Sequence, residues 1–276
     1  MKIIDISKHN GVIDFSKLKS QIDGVIIRLG YGDDLVTQDD IRFKSYVSEC
    51  IKYGIPFGFY IYSYAKTVEQ AKSEAEHCLR LAKPYKDKLS FPIYLDLEEA
   101  GTEKGAVERA IVFGEIIERN GYWCGVYANE YWWKKYLGDS LDRFTKWVAS
   151  YGRNNGIPND KPKIKGLDIW QYTSVGRVSG INGNVDLNLC YRDFPKEIRG
   201  TNVVKNSGSA SNTKYKVGQK VKVSSYYAAS TDGIDKAIIR NATGTITKIK
   251  EGARNPYLLN NGNIGWCNDG DIRQVL

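Results

Sequence analysis

Eight short apolar runs of strand-forming composition follow one another between Lys2 and Tyr191, and helical stretches separate the earlier ones. They span residues 2–7, 24–30, 56–63, 90–98, 122–129, 144–152, 167–173 and 184–191. Each is rich in Val, Ile, Tyr, Phe or Trp and is bounded by turn residues. Thr67 and Gln70 are spaced as a capping box that opens a helix reaching to about Pro84. Residues 104–120 repeat apolar side chains at helical spacing (Ala106, Ala110, Phe113, Ile117) and stop at Gly121. Residues 40–53 form a third helix ending at Gly54. Strand and helix alternate for roughly 140 residues, and strands then follow with little helix between them. That order predicts an α/β fold, an eight-stranded TIM-like barrel with an incomplete helix ring.

Barrels of this kind build their sites at the C-terminal ends of the strands. Asp5 stands at that end of the first run, and Asp96 and Glu98 end the fourth, FPIYLDLEEA. Asp186 lies within the eighth run, beside the first once the barrel closes. Carboxylates at i and i+2 on a strand share a face, about 6–7 Å apart. Leaning together, they reach the ~5–5.5 Å separation of retaining glycoside hydrolysis. A solvated strand end followed by a helix start would also account for Asp96 and Glu98. Four acids from three strands converging on one mouth favour the catalytic reading.

Other chemistries have few residues to work with. His9 and His77 are the two histidines, and the five cysteines (Cys50, Cys78, Cys124, Cys190, Cys267) show no C-x-x-C spacing. Disulfide frameworks and zinc sites are disfavoured, and the cysteines read as ordinary thiols. Carboxylate catalysis needs no cofactor and no metal. The N-terminal segment MKIIDISKHNGVID has no signal-peptide core, and no segment nears the ~20 apolar residues of a membrane span. The expectation is synthesis in the cytoplasm without a signal peptide, and no membrane insertion. The net charge of +8 favours a polyanionic partner, yet no basic block stands out. Readout of nucleic acid is therefore not expected.

Residues 200–213, GTNVVKNSGSASNT, lose all periodicity and read as a linker between a domain at 1–199 and another at 214–276. The last segment holds short strands cut by Gly, Asn and Asp turns, as in a small all-β barrel. It carries ten Lys/Arg against five Asp/Glu, so +5 of the +8 resides there.

The runs DISKHNG at 5–11, IIRLGYG at 26–32, GFYIYSYA at 58–65, YLDLE at 94–98, GVYANEYWW at 125–133, WVASYG at 147–152, DIWQYTS at 168–174 and GNVDLN at 183–188 resemble glycoside hydrolase family 25. These are the Chalaropsis-type lysozymes, which are N-acetylmuramidases. The resemblance covers about residues 1–195 and implies a barrel with fewer than eight helices. It implies cleavage of the β-1,4 bond between N-acetylmuramic acid and N-acetylglucosamine with retention of configuration. Carried across by position, Glu98 is the general acid and Asp96 its partner carboxylate. Asp96 would either attack the anomeric carbon or steady the substrate's acetamido group. Asp5 and Asp186 are the supporting acids, and Glu99, next to Glu98, reads as structural.

Aromatic faces stack on pyranose rings. Tyr62 and Tyr127, near strand ends, are candidates for sugar contact. Tyr60 and Trp170 are candidates too, although the barrel core would suit both, as it would Trp147. Arg28 would pair with an acid or touch substrate. The C-terminal segment resembles a bacterial SH3-type wall-binding domain, with Tyr226, Tyr227, Tyr257 and Trp266 as contacts or as core. The whole resembles phage endolysins that lyse Gram-positive hosts, with peptidoglycan and an associated wall polymer as partners. Some endolysins carry extra, separately translated copies of that module. Here Met1 is the sole methionine, so an internal start would need a non-ATG codon, such as one at Val203 or Val204. A chitinase-like hydrolase is one alternative, but Ile93 and Tyr94 stand where its longer acidic run would be. A non-catalytic wall-carbohydrate-binding protein is the other.

Overall fold

The computed structural model describes residues 1–198, 214–231, 237–250, 253 and 255–276, so the expected linker lies outside the described residues. The chain divides into two compact units, Met1–Asn206 and Ser207–Leu276.

In the first unit the strands are β1 (Lys2–Ile6), β2 (Gly24–Tyr31), β3 (Phe57–Tyr62), β4 (Ile93–Asp96), β5 (Cys124–Asn129), β6 (Thr145–Ala149), β7 (Leu167–Gly176) and β8 (Val185–Cys190). They close into a barrel in sequence order. Neighbours from β1 to β7 are parallel, whereas β8 is antiparallel to both β7 and β1. Chain length explains the inversion. Only residues 177–184 separate β7 from β8, while a parallel return needs about a dozen or more. Gly180 and Gly183, at φ 100° and 105°, supply the backbone freedom for the short return. Asp186, second in β8, therefore lies level with the C-terminal ends of the other strands. A parallel β8 would have placed it at the opposite end.

Around the barrel lie α1 (Phe15–Leu18), α2 (Phe43–Tyr53), α3 (Val68–Ala82), α4 (Ala106–Arg119) and α5 (Glu130–Trp132). The Thr67–Gln70 capping box opens α3, and Gly54 ends α2 in the left-handed region at φ 66°. No described helix is long and apolar enough to cross a membrane. One expectation fails in detail. β4 ends at Asp96, so Glu98 stands in the loop beyond the strand. The simple i, i+2 strand geometry does not relate the two acids.

Inside the barrel, Ile3, Ile26, Tyr94, Trp147 and Ile169 pack as a core. Gly125 makes this possible, since a Cβ there would lie 2.3 Å from both the Tyr94 ring and Thr145 Oγ1. All five cysteines are buried and free.

The second unit is an antiparallel sheet of β9 (Lys220–Tyr226), β10 (Ile238–Ile249), β11 (Tyr257–Leu259), β12 (Gly265–Cys267) and β13 (Ile272–Val275), in the order β12-β11-β10-β9-β13. Val221, Val223, Ile246, Tyr257 and Leu259 are in its core. Tyr227 and Tyr257 are 1% and 0% exposed and so are not surface contacts. Tyr226 and Trp266 are half-buried.

Candidate active site

Asp5, next to last in β1, and Asp186 are directly opposed across the antiparallel β1–β8 pair. Their carboxyls hydrogen-bond to one another. On the facing wall, Tyr62, Asp96 and Tyr127 are register neighbours on β3, β4 and β5. Glu98 follows two residues after Asp96 and is exposed at the rim. The four acids named from the sequence thus share one mouth.

A buried amide network holds Asp5. Gln171 Nε2 and Asn188 Nδ2 donate to Asp5 Oδ2 at 3.0 and 2.8 Å. The Tyr127 and Tyr151 hydroxyls donate to Gln171 Oε1 at 2.8 and 2.7 Å, and Trp147 Nε1 donates to Asn188 Oδ1 at 2.7 Å. Indole nitrogen is donor-only, so it fixes the Asn188 amide with its NH2 toward Asp5. Neither Gln171 nor Asn188 was legible as a site residue. Only alternation with the inward Ile169 on β7 signals Gln171.

The same alternation corrects Trp170. Gln171 points into the barrel, so its strand neighbour Trp170 points outward, where it is 3% exposed and donates to the Ser150 carbonyl at 2.7 Å. It does not line the mouth. Tyr60 is half-buried with its ring against Trp147. Tyr127 is buried, with its hydroxyl held by Gln171. Tyr62 is half-buried, and its hydroxyl donates to Glu99 Oε2 at 2.9 Å. Glu99 therefore belongs to the rim instead of turning away from it.

Two buried groups brace the loops. Glu74 accepts from Ser63 Oγ, Tyr64 N and Ala65 N, fixing the segment after Tyr62. Arg109 donates to the Thr102 and Lys104 carbonyls in the loop that carries Glu98. Arg28 is anchored through Nε to the buried carboxylate of Asp40 at 2.9 Å, and Asp40 also accepts from Lys8 N and Arg42 N. Arg28 Nη2 and Asp96 Oδ1 are both buried with no hydrogen-bond partner.

Burial raises all four carboxyls, and neighbouring carboxylates add to it for Asp96, Glu98 and Asp186. Burial pushes Asp96 well up, reinforced by Glu98 and Asp5 and opposed by Arg28. Loss of surrounding water in the mouth and then the Asp5 charge raise Glu98, although its side chain is open to solvent at the rim. Burial and Asp5 push Asp186 up to about 8. Asp5 is raised by burial against its bonds from Asn188 and Gln171. Such a cluster holds protons at neutral pH, and its members titrate together. Beside Glu98 a cleft of about 600 Å³ is lined by Tyr127, Asn129, Tyr131, Ser150 and Tyr151, a size that takes a small-molecule or oligosaccharide segment.

The family model of Glycosyl hydrolases family 25 matches residues 4–181. The autolytic lysozyme of Clostridium acetobutylicum is 26% identical over 189 residues, 68% of this chain. The chain spans 55% of that relative's length. Among solved structures, the catalytic domain of an endolysin from a bacteriophage of Listeria monocytogenes is similar at 31% identity and TM-score 0.64. That likeness covers 72% of this chain and 97% of the other. The modular autolysin LytC of Streptococcus pneumoniae, solved with a synthetic peptidoglycan ligand, is similar at 30% identity and TM-score 0.60, over 69% of this chain and 46% of its own. The matched span contains Asp5, Asp96 and Glu98 on a barrel of the same architecture, and the chain belongs to glycosyl hydrolases family 25.

Proposed function

We propose that this chain is a lysozyme that hydrolyses the β-1,4 bond between N-acetylmuramic acid and N-acetylglucosamine in peptidoglycan, with retention of configuration. The observation that carries the reading is the mouth itself: Asp5, Asp96, Glu98 and Asp186 meet where burial raises each of them. Glu98, at the rim beside the cleft and raised above the ordinary carboxyl range, is placed to give a proton to the glycosidic oxygen. Asp96 is the acid on which a cation, Arg28, bears. Burial favours a proton on Asp96 in the resting mouth, and positive charge developing at the anomeric carbon would draw it to the ionised form, so that Asp96 stabilises that carbon directly or through the acetamido group. Asp5 and Asp186 share a proton behind them and set the charge of the pair. Tyr62 and Tyr127 flank Asp96 in register and offer rings and hydroxyls to the sugar. The unpaired Arg28 Nη2 offers a donor.

The second unit, read as an SH3-like wall-binding module, would hold the enzyme on its insoluble substrate and raise its effective concentration there. Likeness to a phage endolysin supports a role in lysing a Gram-positive host from within. The test is digestion of Gram-positive peptidoglycan, borohydride reduction and mass spectrometry, with Glu98→Gln as control. New reduced muramic acid ends that fall about 10²–10⁴-fold in the variant are expected. Reduced glucosamine ends would mean a different bond, and no new ends would make this a binding protein.

A further inference from the structure

β9 alternates cleanly: Val221 and Val223 are fully buried, while Lys220 and Lys222 stand exposed on the opposite face. In register on β10, Thr243 pairs with Lys222 and Thr245 with Lys220. On β13, Gln274 pairs with Lys222. Directly opposed residues share a sheet face. Arg273, also exposed, donates to Ser224 Oγ at 3.0 Å at the end of the same row. The outer face of three strands is thus built of ammonium, guanidinium, hydroxyl and amide groups.

The two described acids of this unit are engaged elsewhere, although Asp269 is itself exposed. Asp269 accepts from the buried Tyr257 hydroxyl at 2.7 Å. Asp271 is 2% exposed and accepts from Ser225 Oγ and Asn268 N. Among the described residues, no side-chain carboxylate pairs with Lys220 or Lys222, and neither lysine forms an ion pair.

We infer that this face of the β10–β9–β13 sheet binds a linear, phosphodiester-linked polyol polymer of the cell wall. The inference rests on the reading of the chain as a wall hydrolase. Outward side chains recur about every 6.6–6.8 Å along a strand, and strands lie about 4.8 Å apart. That lattice offers cations and hydroxyls to a repeating anion over several units, not to one isolated phosphate. Single-stranded nucleic acid, the other linear polyanion, is held by rows of stacking aromatics. Here, among the described residues of β9, β10 and β13, Tyr226, half-buried at the end of β9, is the one aromatic in line with the basic row.

The test uses the full chain and its Lys220→Gln/Lys222→Gln double variant. Both lysines are exposed, so the thermal midpoint should not move. Binding is measured to intact Gram-positive walls, to the same walls stripped of phosphate polymers with hydrofluoric acid, to soluble poly(glycerol phosphate) and to single-stranded DNA. Expected is about a tenfold loss of affinity for intact walls and soluble polymer in the variant. The slope of log affinity against log salt should fall by about one to two, and stripped walls should bind both proteins equally weakly. Unchanged affinity in the variant, undiminished binding of the parent to stripped walls, or tighter binding to DNA than to polymer would each overturn the inference. Release of reducing ends from soluble glycan is measured alongside and should be equal in both proteins. Its absence in the parent would sink the hydrolase reading while leaving the binding result interpretable.

Discussion

Asp5 and Asp186 face each other across the antiparallel β1–β8 pair that closes the barrel, and each carboxyl bears on the other's proton. Asp186 is pushed up to about 8 from an ordinary 3.8 by burial and by Asp5. Between those values the folded chain holds a proton that the unfolded chain has released. The group's contribution is thus fully present below about pH 4 and is lost as pH rises through about 8. Asn is a neutral stand-in for the protonated acid. Asp186→Asn should melt with the parent near pH 4 and above it at pH 8–9, by about 2–4 °C for each kcal/mol recovered. The alkaline limb of the pH–rate profile should move up in the same variant. A melting temperature that tracks the parent at every pH would refute the shared proton.

Gln171 is the hub through which Tyr127, Tyr151 and Asp5 are joined. Gln171→Leu takes the acceptor from the Tyr127 and Tyr151 hydroxyls and leaves Asp5 Oδ2 with Asn188 as its remaining amide donor. We expect a loss of about 1–3 kcal/mol per unsatisfied group in urea unfolding, and a fall in kcat larger than any rise in KM. Loss of stability with wild-type kcat would limit Gln171 to the scaffold.

Tyr62 is tied to Glu99 by its hydroxyl while its ring stays half-open at the mouth. Tyr62→Phe keeps the ring and should cost less than about tenfold in kcat/KM, whereas Tyr62→Ala removes the stacking face and should cost more. Equal losses would assign the whole effect to the hydroxyl and its bond to Glu99.

Gly125 sits where the Tyr94 ring crosses the barrel interior, against Thr145. Gly125→Ala forces both aside and should destabilise by about 1–3 kcal/mol, seen as a lowered urea midpoint with an unchanged m-value. Wild-type stability would show that Tyr94 has room to move.

Much of this protein was legible in the chain because the signals are local. Period-two and helical repeats marked the eight strands and α2–α4, and Thr67, Gln70 and Gly54 marked helix ends through their own backbone chemistry. Asp5 and Asp96 showed themselves by standing at the ends of apolar runs. Glu98 was named from the same run, although β4 stops short of it and it stands in the loop that Arg109 braces. What the tertiary structure alone decided is which groups meet. The direction of β8 brought Asp186 to the mouth, and closure brought Gln171 and Asn188 onto Asp5. Strand parity turned Trp170 away from the mouth and sank Tyr227 and Tyr257 into a core. Strand direction and facing depend on partners far along the sequence, and composition within a run does not encode them.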